Sequence, residues 1–184
     1  MFRRIAVAAV AVCLTTFAIA ADAAFSGIDK GHVKIDAVAK PGLGAFSGEV
    51  SGVDVKEAGG KLVFSSDLEG RLKMGLRQDH CKKAFETGKH KSVTLTVDKS
   101  KLKMPADNAR ESGEVTGDLK LHGVTKPVKV KYTVSRTGSD YHIKEAKFSF
   151  NYTDFGVEKI CKLGVCVEPS VTITVNGVKV RDQS

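Results

Sequence analysis

The chain reads as an all-β domain of eight mostly antiparallel strands, an up-and-down barrel or a sandwich, with one short helix. Three features point there. Apolar and polar residues alternate in segment after segment, glycines separate those segments, and the alternation gives way to helical spacing in one place.

Residues 1–23 form a separate unit. Arg3 and Arg4 precede an apolar run from Ile5 to Ala21 that only Thr15 and Thr16 interrupt, and small residues follow. This is the layout of a secretory signal peptide, with cleavage expected after Ala23 and an alternative site after Ala20. The run is marginal in length for a membrane span. Residues 24–184 then make one exported domain, expected in the periplasm. The whole chain carries 29 basic and 21 acidic side chains, and losing Arg3, Arg4 and Asp22 leaves a formal charge of +7. Lysines at alternating strand positions describe a solvated sheet face, with an anionic membrane surface as the alternative partner. An exported chain with no Trp is a poor candidate for binding nucleic acid.

The elements follow in order. Residues 32–38 place Val33, Ile35 and Ala37 on one face. Residues 46–55 form a less regular strand, and residues 61–68 put Leu62, Phe64, Ser66 and Leu68 together. Residues 76–87 break the pattern, because Leu76, His80 and Ala84 recur at helical spacing beside Cys81 and Phe85. Val93, Leu95 and Val97 mark the next strand, and residues 99–110 are the longest polar connection.

The clearest element is a hairpin. Val115, Gly117, Leu119 and Leu121 alternate with polar residues, as do Val128, Val130, Tyr132 and Val134 after the turn. Gly123 gives the reversal its freedom, and Pro127 is expected at the first residue of the second strand. Phe148, Phe150 and Tyr152, then Val171, Ile173 and Val175, complete the eight.

Three cysteines survive processing. Cys161 and Cys166 flank a four-residue connection containing a glycine and are expected to form a disulfide, with a free-thiol or metal reading as the alternative. Cys81 is left unpaired. His80 and Cys81 are neighbours, but adjacent helix positions diverge by about 100°, so they do not form a base and nucleophile pair. Neither a metal site nor a catalytic site is expected, because Asp79 with His80, or His122 at the hairpin turn, offers too few ligands.

Together these pieces resemble the YceI-like family of exported lipid-binding proteins. The tract Gly117-Asp118-Leu119-Lys120-Leu121-His122-Gly123-Val124-Thr125-Lys126-Pro127-Val128 resembles the family's strand-turn-strand. Ile28-Asp29 with His32, Gly44-Ala45-Phe46-Ser47-Gly48, Leu76-Arg77-Gln78-Asp79-His80 and Asn151-Tyr152-Thr153-Asp154-Phe155-Gly156-Val157 resemble further family segments in the expected order. The chain departs from the pattern at Val33, where serine is usual, at Tyr152, where arginine is common, and in the stretch between Cys161 and Cys166.

The resemblance implies a lipocalin-like barrel that holds a polyisoprenoid or other amphiphilic lipid in its lumen without catalysis and without a further cofactor. Under it the luminal candidates are Leu76, Phe85, Leu119, Leu121, Val130, Tyr132, Phe148 and Phe150, with Arg77, His80 and His122 at a polar mouth. The same apolar residues would serve a solid core equally well. Two other readings therefore stay open: a stress-related interaction protein with a filled barrel and basic surface, and an exported enzyme using His80 or Cys81.

Overall fold

The computed structural model describes residues 25–183, and the expected signal peptide lies outside them. A long first strand β1 (Phe25–Lys40) leads into β2 (Gly44–Val50), β3 (Asp54–Ala58) and β4 (Lys61–Asp67). A helical turn α1 (Leu68–Arg71), the short β5 (Leu72–Lys73) and the helix α2 (Gln78–Ala84) precede β6 (Ser92–Asp98). Then come β7 (Arg110–Leu121), β8 (Val124–Thr137), β9 (Asp140–Asn151), the small hairpin of β10 (Cys161–Lys162) and β11 (Val165–Val167), and finally β12 (Ser170–Asp182).

The sheet closes into an antiparallel barrel of eight staves, β1-β12-β9-β8-β7-β6-β4-β3, and β3 returns to β1 at the Ser26–Lys56 pair. The less regular strand expected over residues 46–55 is two strands. β2 lies beside the second half of β1, from Val33–Val50 to Ala39–Gly44, and β3 beside its start. Gly52, with φ +87°, turns the chain between them. Together β2 and β3 make one bent stave, which preserves the expected count of eight.

Few backbone pairs hold this seam, so side chains carry much of the closure. Lys30 Nζ and Arg71 NH1 reach the Asp54 carboxylate at 2.6 and 2.8 Å, joining β1, α1 and β3. The Val53 amide donates to the Lys30 carbonyl at 2.7 Å, and the buried Ser66 hydroxyl donates to the Gly52 carbonyl at 2.6 Å. On the other edge of β1, Gly31 (φ +53°) passes so close to β12 that a Cβ on it would lie 2.2 Å from the Asn176 carbonyl oxygen. Only glycine accommodates both that approach and that backbone angle.

The hairpin of the sequence is β7–β8, closed by His122 and Gly123 with φ values of 50° and 78°. Both central residues have positive φ, as a primed two-residue turn requires. Pro127 is not the first residue of its strand, because β8 begins three residues earlier and Pro127 pairs with Asp118. It is tolerated because β9 joins β8 only from Lys131 onward, so at Pro127 the strand is still an edge. Lys120, Lys129 and Lys131 are exposed on the barrel's outer face.

Two outcomes check the seam. Gly31→Ala should destabilise the protein by about 2–4 kcal/mol, from the positive φ and the collision together, read as a lower urea midpoint. The second is a pH effect. The hydrogen bond from Lys30, and after it that from Arg71, holds the Asp54 carboxyl below its ordinary range. A lowered folded-state value means that the stabilisation is complete above the unfolded carboxyl's value near pH 4 and is lost as pH falls through the folded one. Thermal midpoints measured from about pH 5 down to about pH 3 should therefore fall less in Asp54→Asn than in the parent protein.

Candidate functional site

Every stave turns its apolar alternation inward, and the side chains do not fill the space they enclose. The barrel contains a cavity of about 230 Å³. One water needs about 10–15 Å³ on this scale, and native packing rarely leaves voids much larger than one water. The interior is hollow. A consistent sign is that Ile35, Phe64, Leu95, Phe150, Ile173 and Val175 face inward but stay only partly buried, because they border open space.

The wall is apolar, and four of the hydroxyls along it, those of Ser66, Thr87, Tyr132 and Tyr152, are hydrogen-bonded within the protein. The Tyr132 hydroxyl accepts from the Lys103 amide at 2.7 Å, and the Thr87 hydroxyl donates to the Glu69 carboxylate. Among the described residues, no Asp, Glu, Lys, Arg or His lines the cavity. Such a lumen selects by shape and apolar area; among the described residues its wall carries hydroxyls and one thiol, Cys81, but no charged side chain.

Two strands change phase to keep their apolar residues inward. On β9, Ile143 and Ala146 both line the cavity although three residues apart, because a bulge lies opposite Thr133 and Val134 of β8. On β12, Val175 and Val178 bracket Gly177 in the same way.

One end of the barrel is capped. There α2, the turn Tyr152–Phe155 and the β10–β11 hairpin pack in a second apolar cluster that includes Ala37, Tyr152, Val157 and Val171. Tyr152 organises it. Its ring meets Phe85 edge-on at 6.2 Å, its hydroxyl donates to the Val167 carbonyl at 2.8 Å, and it accepts from the Ile160 amide at 3.3 Å. The residue that departs from the family pattern thus ties the helix to the hairpin. Cys161 and Cys166 face each other across that hairpin and are disulfide-bonded.

The structure places seven of the eight luminal candidates on the cavity wall: Phe85, Leu119, Leu121, Val130, Tyr132, Phe148 and Phe150. Leu76 is different. It belongs to a 3-10 turn, Gly75–Arg77, that precedes α2, and it is fully exposed. The helix starts later than the Leu76-His80-Ala84 spacing suggests, so its inward stripe is Cys81 and Phe85.

The three polar candidates do not assemble into one mouth. Arg77 stacks its guanidinium 4.8 Å from the centre of the Phe46 ring, which lines the cavity. His80 is exposed on α2. His122 lies off the wall, with Nδ1 at 3.2 Å from the Phe155 carbonyl oxygen. Sequence reasoning passed over Phe46, Met74 and Ile143 as liners; for Ile143 the bulge hides the period, and for Met74 no alternation exists to reveal it.

A family profile described as a YceI-like domain matches residues 20–178. No curated protein matches the chain in sequence. Among solved structures, a polyisoprenoid-binding domain from Saccharophagus degradans, implicated in plant cell wall breakdown, superposes with a TM-score of 0.69 at 15% identity. The alignment covers 87% of this chain and 99% of that one. BcnA from Burkholderia cenocepacia gives a TM-score of 0.57 at 19% identity, covering 80% of this chain and 95% of that one. At these identities the likeness is one of fold.

The unpaired cysteine offers a check on the cavity wall. Burial pushes the Cys81 thiol up, and the positive charge of Arg77 opposes that only in part. The thiol is the protonated, unreactive form at neutral pH, so iodoacetamide should label it roughly tenfold or more slowly in the folded than in the urea-unfolded protein. Equal rates would contradict a wall position.

Proposed function

The chain belongs to the YceI-like family, and we propose that it is an exported, periplasmic binding protein that holds a long apolar lipid, a polyisoprenoid or similar amphiphile, in the barrel lumen without catalysis. The observation that carries this reading is the apolar void. A filled barrel would have no use for one, and the lining holds no acid, base or histidine to activate its hydroxyls, while burial holds the Cys81 thiol protonated.

The energetics favour a long chain. Each buried methylene contributes about 0.8 kcal/mol, while association costs about 4–15 kcal/mol in lost freedom. A wall without charged side chains adds little beyond apolar burial. A short hydrocarbon would therefore barely overcome the cost, whereas fifteen to twenty buried carbons, about 12–16 kcal/mol at that rate, would. The headgroup would extend from the lumen, where Arg77 beside Phe46 is the nearest candidate to meet it.

Export of residues 1–23 as a signal peptide fits the periplasmic location, and the basic surface fits an approach to anionic membranes when cargo is loaded or delivered. Native mass spectrometry of the mature protein, followed by organic extraction, tests the reading. A co-purifying hydrocarbon-chain lipid, or saturable uptake of added polyprenyl alcohols, is expected. Ala146→Phe, which grows into the void, should fold and lose uptake, and Phe150→Arg should lose it as well. Absence of lipid together with absence of uptake would overturn the proposal.

A further inference from the structure

Outside the lumen, the segment following α2 and the β7–β8 turn bring together three residues of metal-ligating type. Glu86, His90 and His122 each present one donor atom, and all three atoms lie within 4.8 Å of one another. His122 Nε2 is 3.4 Å and His90 Nε2 4.0 Å from the same carboxylate oxygen, Glu86 Oε2. Two donors bound at 2.0–2.2 Å to a tetrahedral zinc ion stand about 3.3–3.6 Å apart. The first separation already fits, and a small rotation of the half-buried His90 would bring the second into range.

Three observations indicate that this grouping is built for a cation. His122 Nδ1 faces the Phe155 carbonyl at 3.2 Å, and a carbonyl only accepts, so Nδ1 donates there and Nε2 is the ring nitrogen left facing Glu86. Metal-binding histidines are oriented by such a bond to the other ring nitrogen. Nε2 itself is buried without a hydrogen-bond partner, although a carboxylate oxygen lies nearby. The two atoms call for a positive charge between them, which a second ring proton or a metal ion would supply.

The backbone adds the third observation. Thr87 N bonds Lys82 O at 3.0 Å and Glu86 N bonds Lys83 O at 3.2 Å, the paired bonds of a Schellman ending. That motif places its left-handed residue at Glu86, with φ 45°, where glycine would be unstrained. His122 is also left-handed, with φ 50°. The turn requires that angle of His122, whereas Glu86 holds a position unfavourable to its residue type, a pattern associated with function. Lys89 pairs with the other carboxylate oxygen at 3.0 Å; it leaves Oε2 available and tempers the affinity for a cation.

We propose that Glu86, His90 and His122 bind one divalent transition-metal ion, through Glu86 Oε2, a His90 ring nitrogen and His122 Nε2, with the Phe155 carbonyl orienting His122. Two imidazoles and one carboxylate suit zinc and its first-row neighbours, and leave a position for water. The bound ion would clamp the end of the capping helix to the β7–β8 turn. The sequence hid this site because Glu86 and His90 are more than thirty positions away from His122.

The test uses the mature chain without an affinity tag, cleared of metal by chelation and titrated with Zn²⁺ by calorimetry. The expected result is saturable one-to-one binding, a raised thermal midpoint, and slowed amide exchange over residues 81–90. His90→Ala and Glu86→Gln should each weaken binding by roughly tenfold or more. Glu86→Gly should lose the metal yet raise the thermal midpoint of the metal-free protein, since it relieves the left-handed backbone; this separates a lost ligand from a damaged fold. His80→Ala should leave binding unchanged. No saturable binding by the parent chain, or binding that survives His90→Ala and Glu86→Gly, or binding abolished by His80→Ala, would each overturn the assignment.

Discussion

Closure of the sheet through β1 is the constraint on which the rest of this structure depends. One strand must pair with β12 along one edge while sharing its other edge between β2 and β3. That demand accounts for the close pass at Gly31, the turn at Gly52 and the shared carboxylate of Asp54. Once the ring is closed, each of the eight staves has a neighbour on both sides over part of its length, and the inward side chains face a common axis. The hollow follows from the geometry: eight staves enclose a fixed width, and residues such as Ala37 and Ala146 are too small to fill their share.

Much of this architecture is legible in the residues. The period-2 runs located seven of the eight staves, the less regular stretch over residues 46–55 marked the eighth, which is bent, and Gly123 was identified as permitting the reversal of the hairpin. What the residues could not show is where two solutions use the same chemistry. Leu119, Leu121 and Val130 satisfy a solid core and a hollow one equally well, and only the arrangement in space decides between them. Leu76 was misplaced for a local reason, since a 3-10 turn has a different angular period from the helix it leads into. Glu86, His90 and His122 form a group only after the β7–β8 turn is folded beside the cap.

The cap and the wall obey different rules. The wall is a repeating ladder whose specificity lies in what it lacks, namely charge. The cap is made of single, non-repeating contacts, with Tyr152 tied to Phe85, Ile160 and Val167, and with His122 tied to Phe155. A ladder unzips cooperatively, whereas isolated contacts can open one by one. The least cooperative region of the structure is thus the cap rather than the wall.

The bulge between Ile143 and Ala146 has one further consequence. It works as a frame setter: the residues before it and the residues after it are read in opposite phase. Deleting either Lys144 or Glu145 would remove the extra residue and leave Ile143 and Ala146 two positions apart, so a regular strand would keep Phe148 and Phe150 on the axis and Lys147 and Ser149 outside. The same loss in a stave without a bulge would invert everything beyond it, so β9 carries at this place, where neither side chain touches the cavity, one residue of length its lining does not need.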